Sequence, residues 1–151
     1  MSRHRVIEAP VDAVWSLVSD PHHLPRWWPK VKRVENVQGG AGERRARWTA
    51  VLETEKGRAV RADFRCTSAA VNERYLWEQE VEQTPFEKIL KGASTEVHMK
   101  PAATGTEVTV SLDRTLRGLS RLGAPMMRQA TGRTLNEALD GLEIALVGDA
   151  G

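Results

Sequence analysis

From Ala46 to Val81 apolar and polar residues change places at every second position. Ala46, Trp48, Ala50 and Leu52 fall on one parity against Arg45, Arg47, Thr49 and Glu53. After a turn at Lys56-Gly57, Val60, Ala62, Phe64 and Cys66 oppose Arg61, Asp63, Arg65 and Thr67. Beyond Asn72-Glu73, Tyr75, Trp77, Gln79 and Val81 oppose Arg74, Glu78 and Glu80. A two-residue period predicts strands with one buried and one wet face. The same reading gives an irregular strand from Val31 to Val37, a turn over Gly39-Gly40-Ala41-Gly42, and a last strand carrying Val108, Val110 and Leu112 on its inner face. Thr84-Pro85 breaks the run, and Phe86 to Lys100 is expected as one long strand. Its end places Thr95, Val97 and Met99 inward, while its first half shows no clear alternation.

The two ends of the chain carry a helical period. A short strand over Arg3 to Ile7 meets Ala9-Pro10, and Val11, Val14, Trp15 and Val18 then recur at helical spacing until Asp20-Pro21. A second short helix is expected over His22 to Trp27, closed by Pro29. At the far end Leu135, Ala138, Leu139, Leu142, Ala145 and Leu146 form a stripe that extends back through Thr131, Ala130 and Met127. A long helix from Pro125 to Val147 follows, preceded by a looser turn around Leu119. Amphipathic strands that need a cover, followed by one long amphipathic helix, imply an α+β domain whose sheet wraps that helix.

The element order Val6-Ile7-Glu8-Ala9-Pro10, then the helix with Val14-Trp15, then Asp20-Pro21 and Leu24-Pro25-Arg26-Trp27-Trp28-Pro29, resembles the entry to the START-like (SRPBCC) superfamily. The likeness is to its polyketide cyclase/dehydrase and lipid-transport branch. The resemblance implies a helix-grip (START/Bet v 1-like) fold: a curved seven-stranded antiparallel sheet around the C-terminal helix, with two short helices after the first strand. It also implies an internal apolar cavity between sheet and helix.

Composition adjusts this picture only slightly. The 151 residues suit a single ligand-binding domain over residues 1–148 with a 149–151 tail. No stretch approaches the ~20 apolar residues of a membrane helix. The absence of an apolar leader and a single cysteine, Cys66, lead to the expectation of a cytoplasmic protein. A net charge of +2 is too mild to argue for nucleic acid. Arg44, Arg45, Arg47, Arg58, Arg61 and Arg65 share strands with Glu53, Glu55 and Asp63, and Trp48 points away from Arg45 and Arg47. A solvated outer face is therefore expected, with no platform for stacking bases.

Five tryptophans against two phenylalanines is the compositional oddity. Trp48, Phe64, Tyr75 and Trp77 share the inward parity, where they could fill a solid core or line a pocket. With the resemblance, a pocket is expected, walled opposite by Met126, Met127, Ala130 and Thr134 on the first half of the long helix and by Thr95 on the sheet. Leu24, Trp27 and Trp28 would plug or gate its mouth. Adjacent side chains on a helix diverge, and the sequence leaves open which tryptophan faces inward.

No metal or cofactor is expected: His22 and His23 are adjacent, His98 takes the outer parity, and no HxxxH or HExxH spacing occurs. Cys66, on an apolar strand face, reads as a buried inert thiol. The expected partner is a small apolar ligand, lipid-like, quinone or polycyclic, with monomer and dimer both open. The alternative is a polyketide cyclase, aromatase or dehydrase acting in the same cavity. The inward polar residues Tyr75, Gln79, Thr95 and Thr134 include no strong base, which favours binding over catalysis.

Overall fold

The computed structural model describes residues 1–54, 56–118 and 123–148. Seven strands form one antiparallel sheet: β1 (Ser2–Ile7), β2 (Val31–Gln38), β3 (Arg47–Glu53), β4 (Ala59–Ala70), β5 (Arg74–Glu80), β6 (Leu90–Ala102) and β7 (Gly105–Leu116). Their order is β1-β7-β6-β5-β4-β3-β2, so every neighbour but β1 and β7 is also consecutive in sequence. Helices α1 (Val11–Val18) and α2 (Leu24–Trp27) lie between β1 and β2, joined by a 3-10 turn at Pro21–His23. The 24-residue α3 (Ala124–Val147) closes the fold. This is the expected helix-grip arrangement, and Pro125 sits in the first turn of α3, where its missing N–H costs nothing. The expected turn around Leu119 and the 149–151 tail lie outside the described residues.

Local chemistry explains the corners. Asp20 caps the 3-10 turn by accepting from the His22 backbone N–H at 3.0 Å. The glycine-rich turn docks beneath α1: the Gly42 N–H donates to the Ser19 carbonyl at 2.9 Å, and a Cβ on Gly42 would meet the Trp15 ring at 3.2 Å. The irregularity of β2 arises from register shifts between Val31 and Arg33 and between Glu35 and Gln38. Among the described residues no helix is long and apolar enough to cross a membrane.

The expected Phe86–Lys100 strand is corrected. Pro85–Lys88 is a 3-10 turn capped by Thr84, whose hydroxyl accepts from the Phe86 N–H at 3.3 Å, and β6 begins only at Leu90. A register shift between Leu90 and Gly92 buries Leu90 and then sends Ala93, Thr95, Val97 and Met99 inward. The shift is why no single alternation ran through this segment.

Inside the curve, Ile7, Val14, Leu17, Val97, Met99, Val108, Val110, Leu135, Ala138, Leu139 and Leu142 make the core beneath α1 and α3. Of the sheet strands, α3 packs principally on β1 and β7, and it also packs on α1 and α2. The approach to α2 is close enough that a Cβ on Gly141 would overlap the Trp27 backbone carbonyl. Arg5 on β1 ties the same helix from outside, donating to Asp140 at 2.7 Å.

Candidate functional site

With α3 leaning toward the β1–β7 side, the concave face of β3, β4 and β5 carries a cluster of rings. Trp48 stacks with Phe64 and Tyr75 at centroid distances of 6.1 and 6.5 Å, and meets Trp77 edge-on at 6.2 Å. These are favourable offset and edge geometries. The α1–α2 segment covers the cluster. Trp15 meets Tyr75 at 6.0 Å, and Trp27 and Trp28 approach Trp77 at 6.2 and 5.6 Å.

The ordering of Trp27 and Trp28 has a backbone cause. Trp28 leaves the helix with extended ψ while its N–H still donates to the Leu24 carbonyl at 2.8 Å, so the two rings stand perpendicular, 5.4 Å apart. Trp27 is 2% exposed and is locked between Trp77 and the backbone near Gly141. Trp28 faces a pocket of about 110 Å³, whose apolar lining includes Leu24, Trp48, Phe64, Trp77 and Leu112. Thr95, Gln79 and Arg114 supply its polar lining.

Of the residues expected at the site, the structure therefore brings Leu24, Trp28, Trp48, Phe64, Trp77 and Thr95 around one space. The others lie elsewhere. Tyr75 is fully buried behind the pocket wall. Among the described residues its hydroxyl meets no partner in hydrogen-bonding geometry; it faces the Cys66 thiol, which donates to the Ser68 carbonyl at 3.5 Å. Burial pushes both groups up: the thiol and the phenol sit above their ordinary ranges because their charged forms would lose water.

On α3, Met126 is 77% exposed, so the helix turns it away from the interior. Ala130 and Thr134 are half-buried and outside the lining, and the Thr134 hydroxyl donates back to the Ala130 carbonyl at 3.0 Å. Met127 is also half-buried and accepts a hydrogen bond from Arg114 Nη1 at 2.9 Å. The wall opposite the rings is thus formed by β7 more than by α3.

Arg114 is the charged lining residue that the sequence reading missed. Parity would have found it, because it continues the inward series Val108, Val110, Leu112 by one more step. An arginine at the end of an apolar series is easily taken for the place where the strand emerges into water.

A larger recess of about 650 Å³ lies on the other side of the sheet, lined by charged and polar residues including Arg47, Arg65, Glu78 and Glu80. It is open, and four of its charged residues pair with one another: Arg47 with Glu80 at 3.2 Å and Arg65 with Glu78 at 3.5 Å. Arg61 and Arg33 share Glu35, which holds that carboxyl below its ordinary range through their hydrogen bonds. The outer face is a solvated ladder of ion pairs. Among the described residues no cluster of three or more potential metal ligands occurs.

A curved seven-stranded antiparallel sheet gripping a long C-terminal helix, with two short helices after the first strand, is the START-like helix-grip fold. The chain belongs to the polyketide cyclase / dehydrase and lipid transport family, whose model matches residues 1–146. Among solved structures, the di-domain ARO/CYC StfQ of the steffimycin biosynthetic pathway superposes with a TM-score of 0.77 at 15% identity, covering 97% of this chain and 49% of that one. The chain thus spans about half of that di-domain protein. A START superfamily protein from Mycobacterium smegmatis gives 0.76 at 18% identity, covering 97% and 95% of the two chains. The protein TTHA0849 from Thermus thermophilus gives 0.76 at 20%, covering 100% and 99%. A search of curated proteins gave no match.

Proposed function

We propose that this protein binds a small, mainly apolar ligand in the pocket beneath Trp28, with Trp48, Phe64 and Trp77 as its aromatic floor. The supporting observation is that these rings converge on a space they do not fill. A solid aromatic core would close over such a gap, since protein interiors pack to near-crystalline density. At about 110 Å³ the pocket is well below the ~300–1,000 Å³ of typical small-molecule sites, and suits one ring or a short chain. A longer ligand requires displacement of the first turns of α3, which meet β7 through the contact between Arg114 and Met127.

Binding rather than turnover is favoured by the polar groups near that space. Tyr75, the best proton donor of the inward set, lies outside the lining, and burial disfavours its ionised form. Gln79 and Thr95 can orient a ligand but are not bases. The cyclase reading retains the support of the family and of the StfQ likeness, with positioning of a flexible chain as its main catalytic means.

Native mass spectrometry of freshly purified protein, together with titration of apolar fluorescent probes, tests the proposal. A retained small molecule, or saturable quenching of tryptophan emission that is lost in Trp48→Leu/Trp77→Leu, is the expected result. Quenching that survives loss of both rings would place the site elsewhere.

A further inference from the structure

The pocket contains more hydrogen-bond donors than acceptors, and one of the donors carries a charge. Arg114 projects from β7 into the lining, half-buried. The one hydrogen bond it makes among the described residues goes to the Met127 thioether, a weak acceptor. Five arginines outside the pocket, Arg5, Arg33, Arg47, Arg61 and Arg65, each lie within 4.0 Å of a carboxylate, and others such as Arg44, Arg45 and Arg58 are exposed to water. Asp113, the neighbour of Arg114 in sequence, points the other way and binds the Met1 ammonium at 3.0 Å.

Two further lining residues add to the imbalance. Among the described residues, the indole N–H of Trp48 and the side-chain amide N–H of Gln79 are buried without an acceptor. No aspartate or glutamate among the described residues lines the pocket. Water can accept from an indole or an amide, but it brings no charge to balance a guanidinium beside apolar rings. Burial accordingly disfavours the charged form of Arg114. A protein that places a planar, permanently charged fork in such surroundings lacks only an anion with two acceptor oxygens.

Resting on the pocket reading above, we propose that the ligand is an amphipathic acid. Its apolar body, a ring or short chain, lies on Trp28, Trp48, Phe64 and Trp77, and its carboxylate is held by Arg114 with support from Gln79. The arrangement assigns specificity: neutral molecules of the same shape leave the guanidinium unpaired, and cations are repelled.

The test uses three single-ring ligands of one shape: benzoate, its neutral carboxamide, and the cationic benzylamine, titrated into the intact protein by calorimetry. The carboxylate should bind at least about tenfold more tightly than the amide, as expected for a charge-assisted fork, and the amine most weakly. In Arg114→Met the acid should lose affinity until acid and amide lie within about twofold of each other, whereas Arg114→Lys should keep part of the preference. The ligand-free Arg114→Met protein should melt no lower than the parent, because a buried charge without a counter-ion has been removed. Equal binding of acid and amide to the parent protein, or an acid preference that persists in Arg114→Met, overturns the head-group assignment and leaves the pocket standing. Should Arg114→Met not fold, the parent's ranking of the three ligands decides alone, and an amine bound as well as the acid refutes the proposal. Failure of all three to bind overturns the pocket reading and this inference with it.

Discussion

Replacing Ala50 with leucine distinguishes unfilled space from packed core at the centre of the proposed site. Ala50 lies on β3, is 2% exposed, pairs with Ala62 across the sheet and lines the pocket beside Trp48 and Leu52. A leucine there adds three carbon centres. Burying them contributes about 2.4 kcal/mol at ~0.8 kcal/mol per methylene. Ordering the new side chain costs about 0.5–1 kcal/mol. An independent route gives a similar figure: at ~24 cal/mol per Å³, a dry cavity of about 110 Å³ represents about 2–3 kcal/mol of lost packing. Water entering through the mouth already occupies part of that space, so the second figure is an upper bound. The expected outcome is a gain of about 1–2 kcal/mol by urea denaturation with an unchanged m-value, accompanied by loss of probe binding because the side chain occupies the ligand's volume. In close-packed surroundings the same substitution would instead force rings off their rotamers and cost about 1–3 kcal/mol. A variant destabilised to that extent that still quenches normally with the probe would refute the assignment of the pocket.

Two other predictions address the surroundings of the pocket. Trp27→Ala should cost about 3–5 kcal/mol in chemical denaturation, as a buried aromatic truncation, while Trp28→Ala should cost distinctly less and change probe affinity; equal losses would mean both rings are core. Tyr75→Phe removes a buried hydroxyl that meets no hydrogen-bond partner among the described residues and should hold or raise stability at neutral pH. Because folding raises the Tyr75 and Cys66 values, their contribution is full below the unfolded values near 10.0 and 9.0 and is lost as pH climbs above them toward the folded ones. Denaturation midpoints should therefore fall above about pH 9, less steeply in Tyr75→Phe. An identical alkaline slope in both proteins would show that the phenol does not contribute.

How much of this was legible in the sequence varies with the physical origin of each feature. The inward set Trp48, Phe64 and Trp77 follows from strand geometry alone, because a pleated strand alternates its side chains whatever it packs against. The stripe from Leu135 to Leu142 is equally local and is buried as expected. Leu90 was not readable, since a register shift is set by pairing with β7 and not by the segment itself. Met126 and Met127 were not readable as a pair for a related reason. Near its start α3 carries a weak stripe, so which methionine turns inward depends on how the helix meets β7.

Period, turn chemistry and helix punctuation are properties of neighbouring residues, and from them the sequence determined the seven strands, the two short helices before β2, the long final helix and the buried parity of the rings. The tertiary structure alone decided that Trp28 and not Trp27 meets the pocket, that Tyr75 is sealed behind it, that Arg114 enters it without a carboxylate, and that the space measures about 110 Å³. Those outcomes depend on the tilt of α3 toward β1 and β7 and on side chains brought together from distant strands. Volume and charge balance are sums over such contacts, and no single stretch of the chain contains them.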